Sequence, residues 1–137
     1  MITAFKADVI SLGNSELINK YYFSGPAFAL DDNKYYALRQ AVSDYFKVEY
    51  PLVFMVGSAK LGFSIKPRRR FKPFYDCSDI DIVIVSQALF EEIWHEIFRF
   101  ERTGGYWPKM ADFKSYHFQG WIRPDKLPLE PLLSHKK

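Results

Sequence analysis

The sequence predicts an α+β domain in which helices pack on a small mixed β-sheet. Three observations support this fold class: two segments with the apolar spacing of amphipathic helices, two short β-branched runs, and prolines that separate these segments. The chain has 137 residues, of which 48% are hydrophobic and 18% aromatic, so it can bury a core of its own. We therefore expect a single domain over residues 1–137, with a loose C-terminal tail from about residue 128.

Two helices are predicted from periodicity. The first follows the N-cap candidates Asp31–Asn33, and its apolar residues recur at the spacing of one helical face: Tyr35, Leu38, Val42, Tyr45 and Phe46. The second runs from Gln87 to about Arg102, with Ser86 as its N-cap and two glycines after Thr103 to end it.

Two β-favouring runs predict strands. Leu52–Val56 is a short apolar run that stops at Gly57, which indicates a buried strand. Ile80–Val85 is apolar at both alternating sets of positions, as expected of a central strand covered on two faces. A further extended segment is expected over Tyr116–Arg123.

Cysteine, charge and hydropathy exclude several classes of protein. Cys77 is the only cysteine, which rules out an internal disulfide, and three scattered histidines do not form a usual Cys/His zinc pattern. No segment approaches the ~20 apolar residues of a membrane span, so we expect a cytoplasmic protein without a membrane partner. The net charge of +3 is concentrated in one basic run: Lys66, Arg68, Arg69, Arg70 and Lys72.

The residues after the first predicted strand suit a bound phosphate. Gly57 permits close approach of the phosphate, Ser58 offers a hydroxyl donor, and the helix start that follows presents free backbone N–H groups. Lys60 lies in the first helical turn, where it either reaches the phosphate or points into solvent as an ordinary helix lysine. The segment is not a P-loop, because Phe63 stands where that motif needs lysine.

Asp79 and Asp81 form the second chemical motif. Two residues apart on a strand, they would share one face at roughly 6.6 Å separation, given a rise of ~3.3 Å per residue. An Asp-x-Asp pair is often a solvated edge pattern, but in an apolar strand two buried carboxylates would need a compensating cation. We therefore predict that both bind Mg²⁺ or Mn²⁺.

Together the two motifs resemble the DNA polymerase β-like nucleotidyltransferase superfamily, in the form found in small bacterial nucleotidyltransferase-like proteins. The resemblance covers Val56–Val85. It implies a polymerase β-like core in which Gly57 and Ser58 hold the phosphates of a nucleoside triphosphate such as ATP. It also implies that Mg²⁺ on Asp79 and Asp81 assists transfer of a nucleoside monophosphate to a hydroxyl of a protein, an RNA or a small molecule.

The resemblance leaves two questions open. The superfamily usually supplies a third carboxylate from a later strand, and the candidates here are Asp112 and Asp125. Without a third acid, the chain could be a catalytically silent fold that binds nucleic acid or protein, with the basic run as its phosphate contacts. The chain is also short for a helical domain that closes over the nucleotide, so we expect a homo-oligomer or a partner chain to complete the cleft.

The other aromatic and histidine residues are interpreted as structural. His95 falls in the polar arc of its helix and is expected at the surface. Packing is the preferred role of His117, although it could also line the sheet near the acids. Trp107 and Trp121 are expected in the core rather than stacked on a nucleotide base.

Overall fold

The computed structural model describes residues 1–129 and shows a mixed α+β chain. Its α-helices are α1 (Ile2–Ser11), α2 (Asn14–Ile18), α3 (Asp32–Phe46), α4 (Gly57–Leu61), α5 (Gln87–Arg102) and α6 (Met110–Phe118). Its strands are β1 (Val53–Val56) and β2 (Asp81–Ile84). The chain divides into two compact units, Met1–Val85 and Ser86–Lys137. Beyond Leu129, the loose tail predicted from the sequence lies outside the described residues.

The sheet of the first unit consists of two antiparallel strands within residues 1–129, and not of the mixed arrangement that the sequence predicted. The register pairs Val53 with Ile84 and Val56 with Asp81. The predicted buried strand is confirmed in β1, where Val53 and Met55 are fully buried. The register therefore brings the start of β2 beside the end of β1.

The prediction that β2 is a central strand covered on two faces is wrong. Ile82 is partly buried and packs against the core of Ala27, Met55 and Ala59, whereas Asp81 and Val83 are exposed. Apolar residues at both sets of positions indicate burial on two faces only if a second layer covers the strand. Here side chains alternate between the core and solvent, as in a half-covered antiparallel sheet.

Helix α3 forms as predicted and holds β1 in place. The Asp31 side chain caps it by accepting a hydrogen bond from the Lys34 backbone N–H at 2.9 Å. Tyr35 packs on the core of the first unit. Arg39 donates from Nε to the Val53 carbonyl at 2.7 Å and from Nη2 to the Tyr50 carbonyl at 3.1 Å. These bonds fix the position at which β1 begins.

A closed loop, residues 62–74, carries the basic run between α4 and β2. Phe63 and Pro73 form a single antiparallel bridge at its base. Within it the Ser64 N–H donates to the Lys72 carbonyl at 2.8 Å, and the Phe71 N–H donates to the Ser64 carbonyl at 2.7 Å. A single 3₁₀ turn, Pro67–Arg69, forms the tip. The basic side chains are therefore displayed on a hydrogen-bonded scaffold.

The second unit is built on α5, which begins at the predicted cap. Ser86 Oγ accepts a hydrogen bond from the Leu89 N–H at 3.2 Å. The core of this unit consists of Ile97, Trp107 and Phe113, so the predicted core position of Trp107 is confirmed. Trp121, by contrast, is 61% exposed, and its predicted core position is wrong.

The prediction of an extended segment over Tyr116–Arg123 is also wrong, because α6 continues to Phe118 and a turn follows. Phe113 and His117 lie one helical turn apart and stack with a ring separation of 5.7 Å. The poor alternation of this segment therefore reflects a helical period. Gly120 adopts the left-handed conformation, with φ of +87°, in the turn that follows α6.

Among residues 1–129, no helix combines the length and the apolar character needed to cross a bilayer.

Candidate functional site

The candidate site lies at the junction of β1, α4 and β2. Because Val56 pairs with Asp81, the Asp81 carboxylate reaches the turn at which β1 becomes α4. Gly57 occupies that turn with φ of +67°, a conformation that L side chains rarely adopt. A Cβ built on Gly57 would lie 3.2 Å from Asp81 Oδ2. The absent side chain therefore leaves the space in which the carboxylate sits.

Ser58 follows directly in α4. Its side chain is half-buried, and its hydroxyl has no hydrogen-bond partner within the described residues. The short helix ends at Gly62, whose N–H donates to the Ser58 carbonyl at 2.8 Å. Ser58 thus presents a free hydroxyl donor one residue from the contact between Gly57 and the Asp81 carboxylate.

Asp79 lies in the segment that leads into β2 rather than on the strand itself. Like Asp81, it is exposed, and neither carboxylate forms an ion pair with another of residues 1–129. The argument that buried acids need a cation therefore does not hold. What remains is the Asp81 carboxylate beside the Gly57 turn and the Asp79 carboxylate two residues earlier in the chain. Carboxylate oxygens are ligands that suit Mg²⁺ or Mn²⁺.

Lys60 has a different role from both interpretations drawn from the sequence. Its side chain is buried, and Nζ donates to the carbonyls of Ser24, Gly25 and Pro26 at 3.0, 2.7 and 3.0 Å. All three ammonium protons are committed, so Lys60 is neither an exposed helix lysine nor free to bind a phosphate. Burial, and to a smaller extent the charge of Arg39, lowers the pKa of the ammonium.

The Lys60 contacts also hold α4, which begins at the Gly57 turn. The backbone of α4 accepts hydrogen bonds from the segment that Lys60 binds, with Phe28 N–H donating to the Lys60 carbonyl at 3.2 Å and Ala29 N–H to the Ala59 carbonyl at 2.9 Å. Lys60 therefore contributes to the site by anchoring α4.

Asp112 and Asp125, the candidates for a third carboxylate, belong to the second unit and pair with cations there. Both oxygens of Asp125 accept from the Arg123 guanidinium, at 3.0 and 3.1 Å, and this contact lowers the pKa of the Asp125 carboxyl. Asp112 Oδ2 lies 3.2 Å from Lys126 Nζ. In the part of the chain that the structure describes, no group of three or more His, Cys, Asp or Glu side chains is arranged to hold a metal ion.

The basic run is fully available to a ligand. Its five side chains are exposed and form no ion pair within residues 1–129: Lys66, Arg68, Arg69, Arg70 and Lys72. They lie in the first unit, on the loop that connects the Gly57 turn with Asp79. This agrees with the sequence analysis, which placed the run between the two motifs.

Comparison of the chain with protein-family models, with curated proteins and with solved structures gives no match.

The sequence analysis missed two features of the first unit. One is the anchoring role of Lys60, which its position between the buried Ala59 and Leu61 could have indicated. The other is the N-terminal helix α1, where the spacing of Phe5 and Val9 matches one helical face. The anchoring role of Lys60 depends on carbonyls distant in sequence, whereas α1 follows from local spacing.

Proposed function

We propose that this protein is a Mg²⁺-dependent nucleotidyltransferase that transfers a nucleoside monophosphate from a nucleoside triphosphate to an acceptor hydroxyl. The observation that carries the proposal is the contact of the Asp81 carboxylate with the Gly57 turn. A metal ion on Asp81 would lie beside any phosphate that approaches the backbone at Gly57 and Ser58. Phosphate oxygens and few carboxylates are the ligands that Mg²⁺ prefers.

Each residue then has a distinct task. Gly57 admits the phosphate, the Ser58 hydroxyl donates to it, and Asp79 and Asp81 hold the metal. A metal held by Asp79 and Asp81 would supply neutralisation of the phosphate charge. The acceptor hydroxyl would attack the α-phosphorus in line, forming a new ester bond as the bond to pyrophosphate breaks and the hydroxyl proton is lost. The protein contributes orientation and electrostatics rather than a nucleophile. Lys60 contributes only by holding α4.

The site presents two free carboxylates, fewer than the three that such a metal site usually has. We therefore include a second copy or a partner chain in the proposal. Such a chain would supply the missing ligand or cover the nucleotide. The acceptor is a protein, RNA or small-molecule hydroxyl.

Calorimetric titration with ATP and the other nucleoside triphosphates, with and without Mg²⁺, tests the proposal. We expect metal-dependent binding that falls at least about tenfold, or about 1.4 kcal/mol, in Asp79→Asn and in Asp81→Asn. Asp76→Asn is the matched control. It removes the same charge from an exposed aspartate that precedes the site in the chain. Binding that ignores Mg²⁺, or that survives both site substitutions, would contradict the proposal.

The fate of labelled phosphate in the nucleotide tests the reaction itself. A nucleotidyltransferase attaches the α-phosphate of the nucleotide to the acceptor, so label should be incorporated from the α position and not from the γ position. Pyrophosphate should appear in equal amount. Transfer of the γ-phosphate would indicate a kinase instead.

A second candidate function is a catalytically silent fold that binds nucleic acid. The five exposed and unpaired cations of the basic run favour it. It predicts RNA or DNA binding that weakens as salt rises, with a smaller salt dependence when Arg68, Arg69 and Arg70 are changed to alanine. The Asp79→Asn and Asp81→Asn proteins would keep this binding, which separates the two functions.

A further inference from the structure

An apolar groove lies in the first unit, between α1 and the closed loop of residues 62–74. That loop carries the basic run and is called the basic loop from here on. The groove has a volume of about 510 Å³, and its apolar lining consists of Phe5, Val9, Ile10, Ile65 and Phe71. We call it the α1 groove. A second hollow of about 270 Å³ shares Phe5 and Ile65 with the α1 groove. It extends the apolar surface to Leu17 and Ile18 of α2.

The floor of the α1 groove is held by aromatic packing. The Phe5 ring packs edge-on against Phe63 and Tyr21, with centroid separations of 5.2 and 4.9 Å. Phe71 adopts φ of +64° and lies 5.9 Å from Phe63. A bulky residue in the left-handed region is uncommon, and the hydrogen-bonded loop imposes this conformation. The groove is therefore formed before any ligand arrives.

The apolar lining is exposed to solvent to an unusual degree. Val9 is 49% exposed, Ile10 is 89% exposed and Ile65 is 42% exposed. Contiguous exposed apolar surface with a concave shape is typical of a binding site. Covering these side chains would release about 25 cal/mol for each Å² of apolar surface removed from water.

The rim of the groove is cationic. Lys6 and Arg70 line it, with Lys6 Nζ 4.3 Å from the Phe71 ring centroid, and none of the described residues that line either hollow is acidic. The other four residues of the basic run lie on the same loop. An apolar floor beside positive charge complements a ligand that is apolar on one side and negative at its margins.

We propose that the α1 groove binds an amphipathic helix of another protein, whose apolar stripe is flanked by acidic residues. An apolar stripe laid into a groove is a common mode of peptide recognition, and the basic loop would pair with the flanking carboxylates. A nucleic-acid backbone has no apolar face to cover Val9 and Ile10. A membrane surface is flat and would not fill a concave groove. This inference does not depend on the nucleotidyltransferase proposal.

A designed peptide tests the groove directly. The probe is a fluorescein-labelled peptide of about 14 residues, with leucine at helical spacings i, i+3, i+4 and i+7 and glutamate beside the leucines. Fluorescence anisotropy measures its binding to the full chain. Two comparison peptides keep the leucines with lysine in place of glutamate, or keep the composition in scrambled order.

We expect the acidic amphipathic peptide to bind, and both comparison peptides to bind at least about tenfold more weakly. Ile10→Asp and Arg70→Glu should each reduce binding by a similar factor. Phe118→Asp is the control for Ile10→Asp, because Phe118 is 91% exposed and lies in the second unit. Arg99→Glu is the control for the charge reversal, since Arg99 is exposed on α5. Circular dichroism verifies that each variant folds.

Several results would overturn the proposal. One is absence of binding by the acidic peptide, and another is equal binding of the lysine peptide. A third is binding that Ile10→Asp leaves intact. A membrane surface would be the ligand instead if three results occurred together. The native chain would sediment with vesicles of phosphatidylserine and phosphatidylcholine, the Ile10→Asp variant would not, and the acidic peptide would not bind.

Discussion

The Asp81 carboxylate sits against the backbone of Gly57, with Oδ2 3.2 Å from the position that a Cβ on residue 57 would occupy. The antiparallel pairing of Val56 with Asp81 produces this contact. It brings the first chemical motif of the sequence next to part of the second.

Gly57→Ala is expected to weaken Mg²⁺-dependent nucleotide binding and to lower the free energy of unfolding by about 1–2 kcal/mol. The stability loss comes from the left-handed backbone, and the binding loss comes from displacement of the carboxylate. The matched control is Gly104→Ala, since Gly104 has φ of +85° and no atom of the described residues lies within 4 Å of an added Cβ. Urea denaturation and calorimetry should show similar stability losses and a binding loss only at residue 57. Equal nucleotide binding by both variants would contradict the proposed role of the contact.

Lys60→Met should lower the free energy of unfolding by about 1–3 kcal/mol at neutral pH, because three carbonyls lose a charged donor in a buried position. Urea denaturation measures the change. Lys34→Met is the control, since Lys34 forms an exposed ion pair with Asp31 and should cost less than about 1 kcal/mol. If Lys60→Met were as mild as the control, Lys60 would not anchor α4.

We expect His117 to make the stability of the second unit depend on pH. Its Nε2 is buried without a hydrogen-bond partner in the described residues, and its ring stacks on Phe90 and Trp94 at 4.8 and 4.3 Å. Burial lowers the pKa of His117 below its ordinary value of 6.5. At pH values between the folded-state pKa of His117 and 6.5, the unfolded chain binds more protons than the folded chain. The contribution to stability is therefore complete above 6.5 and is lost as the pH falls toward the folded-state pKa.

Denaturation of the native chain and of His117→Phe at a series of pH values tests this expectation. The phenyl ring keeps the stacking and removes the titration, so the variant should lose less stability on acidification. His95→Gln should behave like the native chain, since His95 is exposed. An unchanged pH dependence in His117→Phe would assign the effect to other groups.

Trp107→Phe should lower the free energy of unfolding of the second unit by about 1–3 kcal/mol. Trp107 is 5% exposed and donates from Nε1 to the Lys126 carbonyl at 2.8 Å, so the substitution leaves a carbonyl without its donor. Trp121→Phe is the control, because Trp121 is 61% exposed and should change stability by less than about 0.5 kcal/mol. Similar effects of the two substitutions would argue against the Nε1 hydrogen bond.

Much of the local structure could be predicted from the chain alone. Periodicity located α3 and α5, and the capping residues Asp31 and Ser86 marked where they begin. The apolar run before Gly57 indicated β1. These features depend on neighbouring residues, so composition and spacing are sufficient to reveal them.

Other features depended on which segments meet. The first three residues of the predicted extended segment, Tyr116–Phe118, form the end of α6, where Phe113 and His117 stack as one face of the helix. The sequence of β2 predicts burial on both faces, but β-branched residues do not reveal whether a second layer covers a strand. The burial of Lys60 was hidden because its partners, the Ser24, Gly25 and Pro26 carbonyls, lie more than 30 residues earlier in the chain.

The sequence by itself determined the chemical groups of the candidate site and their order: a glycine-serine turn after a strand, two acids before and on the next strand, and a basic run between them. The tertiary structure decided which of these groups meet. Strand pairing placed Asp81 against Gly57, and three carbonyls of residues 24–26 bind the buried Lys60 ammonium, which is therefore not free for a ligand. Strand register and desolvation are set by contacts between distant segments, and so only the folded chain shows them.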